Sequence, residues 1–477
     1  MGSSAKFGFR NLKLTSVHHG WWSLGSLSLR PLIMIAVVLL AAKTEISYAQ
    51  FGTGFQRAVG GVMVDPQGIL RTASRDMREA DLKLLRERIE KPQGVFAETA
   101  KLRMISLRGL QENLSEAIAE GKTISDELRY LAGLQRIEFV FVYPEQKDIV
   151  IAGPAEPWVV RDDSTVVGVK SGRPVIHLED LIVALRSVET SRTAGLSCSI
   201  EPTAEGRERL QNLLRRVSLR PGQDPSSLEP SMKQAFGPQL IKLTGISETS
   251  RYARTMVAAD YQMKRIGMGL APSQIEGLPS YIVIARNQRH SGEANPRWWM
   301  ACNYDALAHD DEKLAWRISG QGVKTLTENN LLGAAGEKNS IEPKTDRSAQ
   351  AWADMMTARF DQLSTAQPVF GDLRNCLDMS VICTLIVQER LAERAGCDLS
   401  LLVSSTSPIE LESLPIPKMV DPECSFIRGA AGWVVTASGG VDVNAFEVVQ
   451  SQNLDNSLAE SRSNSKSTSD SGWWWNG

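Results

Sequence analysis

The stretch IEFVFVYPEQKDIVIAG, residues 137–153, constrains the fold more than any other in this chain. Two runs rich in Val, Ile and Phe are joined at Pro144-Glu145-Gln146-Lys147. A link this short leaves antiparallel pairing as the only choice, because parallel neighbours need a crossover of about a dozen residues. Two more segments repeat the pattern. VGGVMVDPQGILRTA alternates apolar residues around Asp65-Pro66-Gln67-Gly68, where Pro and Gly make a β-turn. Val159 to Val169 reads as a hairpin turning at Asp162-Asp163.

Helical periods fall between these strands. Ser74 to Lys91 is charged and helical in pattern, and Leu107, Leu110, Leu114 and Ala117 mark a second helix that ends at Gly121. Ser125 caps a short third helix. LEDLIVALRSV puts Leu178, Leu181, Ile182 and Leu185 on one face. The strand LSCSI precedes a helix capped by Thr203. Further on, QLIKLTGI reads as a strand. SRYARTMVAADYQMKRIGM then places Tyr252, Met256, Ala259, Met263 and Ile266 at spacings of 4, 3, 4 and 3. Strands are expected at YIVIAR, RWWMACNY and LAWRIS. Two long helices follow, one around Trp352, Met356 and Phe360 and one from Leu373 to Glu393. WVVTASGGVDVNAFEVV supplies a final pair of strands. Locally paired strands with interspersed helices imply an α+β fold of hairpins and short mixed sheets.

SLRPGQDPSSLEPS, residues 218–231, concentrates Pro, Ser and Gly, and is expected to link two α+β domains at 50–217 and 232–450. Residues 451–477 are Ser-rich and end in Trp473-Trp474-Trp475, a composition expected to be disordered, with the Trp cluster as a contact element.

Residues 1–49 have the pattern of a secretory signal peptide. The apolar run from Leu32 to Ala42 would span roughly 16 Å as a helix, against the ~30 Å of a bilayer core. Lys6, Arg10, Lys13 and Arg30 precede it, and Ser47-Tyr48-Ala49 offers small residues for cleavage before Gln50. The alternative is an uncleaved inner-membrane signal anchor, which would be the chain's one attachment to a membrane. Export to the periplasm or beyond is therefore expected. Without residues 1–49 the formal charge moves from −2 to about −6, since five Lys/Arg and one Asp/Glu are lost. An acidic chain has no electrostatic footprint for nucleic acid.

Longer ordered strings carry a resemblance. GGVMVDPQGIL, RYLAGLQRIEFVFVYPEQKDIVIAGPAEPW, SGRPVIHLEDLIVALR, CSIEPTAEG and MVAADYQMKRIGMGL, followed by the RWW strand, resemble a family of exported planctomycete proteins with a domain of unknown function. The resemblance runs over roughly residues 58–400. It implies export and one evolutionary unit, and it implies no reaction, cofactor or catalytic residue.

The residues themselves nominate no catalytic, cofactor or metal site. His177, His290 and His309 are the histidines beyond residue 49. Ser438-Gly439-Gly440 echoes the end of the GDSGG protease motif, but Ala437 stands where Asp is needed, and no G-x-S-x-G elbow exists. Lys170-Ser171-Gly172 lacks the S-x-x-K partner of penicillin-binding enzymes and reads as a turn. His290, Cys302, His309 and Asp310 or Asp311 match no zinc spacing, and Asp310-Asp311-Glu312 lacks the calcium-loop pattern. His177, followed by Glu179 and Asp180, suits a helix start.

Contact residues are easier to nominate. Asp260 and Lys264 are i,i+4 partners expected on an exposed helix face, and Arg297 flanks Trp298-Trp299, whose side chains point to opposite sheet faces in a strand. The leading expectation is a non-catalytic envelope protein that binds or scaffolds, its partner another envelope protein or a glycan. The alternative is an extracytoplasmic hydrolase with a site of scattered carboxylates. Of the six cysteines, Cys376 and Cys383 lie seven apart in one expected helix, roughly 10.5 Å at 1.5 Å per residue, too far for a disulfide. Cys397 and Cys424 are freer to approach each other.

Overall fold

Phe139–Tyr143 and Asp148–Ala155 pair antiparallel, with Tyr143 opposite Asp148. Pro144–Gln146 forms a 3-10 turn between them, and Lys147 closes it at a φ of 51°. The other two hairpins also form, Val62–Val64 with Ile69–Thr72 and Trp158–Val160 with Val166–Gly168. The computed structural model describes residues 59, 62–64, 68–72, 75–217, 224–286, 293–328, 346–427, 433–465 and 473–476. Residues 1–49, where the signal peptide is expected, and His290 lie outside them. Gly54–Gly477 groups as one compact unit.

Two mixed sheets organise this unit, and the fold class is α+β. The larger has eight strands, in spatial order Val62–Val64, Ile69–Thr72, Met419–Val420, Gln239–Thr244, Ser197–Pro202, Ser438–Asp442, Arg297–Asn303 and Gly322–Thr327. The second has seven, in the order Gln452–Leu454, Leu307–His309, Ala315–Arg317, Phe139–Tyr143, Asp148–Ala155, Ala100–Ser106 and Trp474–Asn476. Strands from before and after residues 218–231 are therefore neighbours in both sheets, and that segment does not divide them. Its described part folds as a 3-10 turn, Pro225–Leu228, running into the helix Glu229–Phe236. Composition reports only that such a segment is polar; which strands pair is decided between residues far apart in sequence.

The core lies on the helices Leu178–Ala194, Arg251–Gly267 and Pro368–Gln388. Every residue from Pro368 to Ile386 is buried, so this helix is covered all round rather than on one stripe. No described helix is long and apolar enough to cross a membrane.

Four local expectations change. YIVIAR is no strand: Tyr281–Ala285 is a short helix packed on the helix Arg347–Ala358. A short apolar run has no period to separate the two forms, and packing decides. The helix around Trp352 and Phe360 is two, Arg347–Ala358 and Phe360–Ala366, and the next one ends at Gln388 rather than Glu393. The final strands Trp433–Val435 and Ser438–Asp442 belong to different sheets, and Ala445–Gln450 after them is helical. Finally, the tail is not disordered where it is described. Gln452–Leu454 and Trp474–Asn476 take sheet edges and Ser457–Asn464 is helical, with Leu458 buried. A Ser-rich segment has little to bury, but an open sheet edge offers backbone hydrogen bonds that require no apolar side chain.

Candidate functional site

Five of the nominated contact residues, Asp260, Lys264, Arg297, Trp298 and Trp299, lie on the helix Arg251–Gly267 and on the strand Arg297–Asn303, which the strand Ser438–Asp442 connects. The helix Arg251–Gly267 starts at Ser250, whose Oγ accepts the Ala253 N–H at 3.1 Å. Its polar face was expected in solvent, and the structure corrects this: Asp260 is 0% exposed and Lys264 3%. Lys264 Nζ donates to Asp260 Oδ2 at 2.8 Å, to the Ile200 carbonyl at 3.1 Å and to the Gly439 carbonyl at 3.0 Å. Burial pushes the Asp260 carboxyl up to about 7, against the pull of Lys264. Two glycines let the strands close over this pair. A Cβ on Gly439 would stand 1.8 Å from the Trp298 carbonyl oxygen, and one on Gly440 1.9 Å from that of Cys198. The Ser-Gly-Gly sequence is thus a packing requirement. Ser438 is buried, with its Oγ 3.5 Å from Asn295 Oδ1.

Trp298 and Trp299 do take opposite faces. Trp298 is fully buried against Trp352, with ring centroids 4.3 Å apart, and its indole N–H donates to the Ala349 carbonyl at 3.2 Å. Trp299 is half-buried, and its indole nitrogen has no hydrogen-bond partner among the described residues. Arg297 beside it is held by Glu201 at 3.0 Å and Glu328 at 2.9 Å. Trp473 lies elsewhere, buried and stacked on Phe96 at 6.2 Å, and its carbonyl accepts the Ser106 N–H at 2.9 Å. Trp474 and Trp475 pair in register with Ile105 and Met104.

No group of three or more His, Cys, Asp or Glu among the described residues is placed to hold a metal ion. His309 Nδ1 donates to the Asp310 carbonyl at 2.7 Å, and Asp310 Oδ1 accepts the Leu314 and Ala315 N–H groups, fixing a hairpin turn. Lys170-Ser171-Gly172 is a turn whose Lys170 and Ser171 N–H groups donate to Glu156 Oε2. All six cysteines are buried free thiols. Cys397 and Cys424, the pair freest to meet by sequence, pack in different hydrophobic clusters, because the fold carries their segments to separate places.

A cleft with a mixed apolar and charged lining lies at the start of the helix Leu178–Ala194, and has a volume of about 420 Å³. His177 occupies the N-cap position, so His177, Leu178 and Glu179 face the cleft while Asp180 turns inward. Asp180 meets Arg251, which also contacts Asp372 at 3.0 Å; all three are buried, and burial pushes Asp180 up to about 7. This ties the cleft floor to two neighbouring helices. The His177 ring packs edge-on against Tyr130, with centroids 5.2 Å apart, and its Nδ1 is 4.0 Å from Glu179 Oε1. Ile124, Ile182, Ile409 and Leu411 add apolar surface. Arg88, Arg129, Glu410 and Glu412 supply the charge at the rim.

Residues 198–281 match DUF1598, a protein family of unknown function. The matched segment runs from the strand Ser197–Pro202 through the helix Arg251–Gly267 to Tyr281, so it carries Cys198, Glu201 and the Asp260–Lys264 pair. No curated protein and no solved structure matches the chain.

The sequence nominates an exposed helix face and a tryptophan pair as contacts, and does not point to the cleft. Its wall at 409–412 stands more than 220 residues from His177, and a His before a helix with acidic residues in its first turn is fully explained by local electrostatics. The acidic residues Glu410 and Glu412, spaced for one side of an extended chain, were the available signal.

Proposed function

We propose that the chain is an exported binding protein that holds a small amphipathic ligand in the cleft before the helix Leu178–Ala194 and leaves it unchanged. The observation that carries this reading is the cleft's composition, an apolar and aromatic floor under a charged rim at a volume of about 420 Å³. Ligand pockets of ~300–1,000 Å³ combine apolar lining with a few placed polar groups in this way. The interior carboxylates are already engaged, Asp180 and Asp372 by Arg251, Asp260 by Lys264 and Asp378 by Arg136. That supports structural rather than catalytic roles for them. Export rests on residues 28–50.

A hydrolase is the second reading, favoured by the His177–Glu179 approach in the cleft. Crystals of wild type and Leu411→Trp soaked with the same fragments test both. Fragments seated in the wild-type cleft and absent from the filled one, recovered intact by mass spectrometry, support binding. Fragments seated elsewhere in both would refute it. Conversion by wild type that His177→Ala abolishes would establish the hydrolase instead.

A further inference from the structure

The rim charges decide what kind of ligand the cleft takes. Arg129 is engaged by Asp126, at 3.1 Å, and by the Ile124 carbonyl. Glu412 lies in the field of Arg254, and Glu179 lies beside His177. Arg88 and Glu410 are different. Both are exposed, both line the cleft, and neither makes an ion pair with any described residue. They therefore stand more than 4.0 Å from each other, the limit for such a pair. One cavity thus presents a guanidinium and a carboxylate that no described residue pairs with, and Tyr130, Leu178, Ile182 and Ile409 are among its buried lining. A purely apolar ligand leaves both charges unmatched, and a ligand of one sign matches only one of them.

We propose that the cleft binds a zwitterion with an apolar middle, specifically a short apolar peptide with both termini free. Its terminal carboxylate meets Arg88, its ammonium meets Glu410, and its side chains cover the floor. A di- or tripeptide spans roughly 7–11 Å extended, which suits charges too far apart to pair directly. The carboxylate–guanidinium contact is the planar, bidentate kind that discriminates a free terminus from an amide. This rests on the cleft being a binding site.

Isothermal titration with the dipeptide Ile-Leu, its N-acetyl form and its C-terminal amide tests the assignment on the full chain. The free dipeptide should bind, and each blocked form should bind about tenfold more weakly or worse. Arg88→Gln should erase the penalty for amidation while keeping that for acetylation, and Glu410→Gln should do the reverse. Both residues are exposed, and unchanged melting curves establish that the variants fold. Equal binding of all three peptides, or penalties that neither variant moves, would overturn the zwitterion while leaving the cleft a binding site. No binding of any peptide overturns it too. In that case fragment density in the cleft shows that the binding reading survives, and a cleft that stays empty shows that it fails as well.

Discussion

Replacing Lys264 by Met removes the ammonium that bonds Asp260, the Ile200 carbonyl and the Gly439 carbonyl, and leaves a 0%-exposed carboxylate under the central strands. Deleting one partner of a buried pair costs about 3–5 kcal/mol, because the remaining charge has neither water nor counter-charge. The cost should depend on pH. With Lys264 present, burial already lifts Asp260 to about 7, and without it the carboxyl rises further. A carboxyl raised above its unfolded value binds a proton in the native state that the unfolded chain releases, so its contribution falls as pH rises from about 4 to the folded pKa. For wild type that decline ends near 7; for Lys264→Met it continues higher. The stability gap between the two should therefore shrink as pH falls from about 8.5 to about 6.5, by up to about 1.4 kcal/mol per unit. The double variant Asp260→Leu, Lys264→Met removes both charges and should regain most of the loss. Urea unfolding followed by circular dichroism at several pH values measures all of this. A loss under 1 kcal/mol, or one that is flat across that window, would refute the buried-pair reasoning.

Gly440→Ala should destabilise by about 2 kcal/mol or more, because its Cβ would meet the Cys198 carbonyl oxygen at 1.9 Å and the backbone at Cys198–Ser199 must move; a wild-type urea midpoint would contradict the strand spacing. Trp473→Ala should cost about 3–5 kcal/mol, since the indole is buried on Phe96, and removal of residues 466–477 should lower the melting temperature at least as much. An unchanged melting temperature would show that this strand is not paired in solution. The six thiols should react with Ellman's reagent only after unfolding: all are buried, and burial pushes Cys302 and Cys397 up to about 12 and Cys424 to about 11. Any crosslinked peptide in a non-reducing map would contradict this.

The elements that could be read directly are those whose signal is complete within a few residues. Pro144 and Lys147 turn the hairpin whatever lies around it, and Ser250 and Thr203 accept N–H groups three residues ahead because capping is a local bond. The stripe from Tyr252 to Ile266 found the central helix. The same stripe misplaced Asp260 and Lys264, since a period shows which residues share a face and not what covers the other one. In this protein a second layer, the strands of Ile200 and Gly439, covers it. YIVIA failed for a related reason: five apolar residues satisfy helix and strand equally, and only the neighbouring helix chose.

Local chemistry therefore determined the hairpins, the caps, the mixed α and β character and the impossibility of a Cys376–Cys383 bridge. Tertiary structure alone decided that strands from both halves share two sheets, that the last tryptophans take a sheet edge, and that residues 409–412 stand beside His177. Hydrogen bonds within a turn or a cap are fixed by covalent spacing, whereas sheet partners and cleft walls are selected by the burial of surfaces hundreds of residues apart, for which no short stretch of sequence carries a signal.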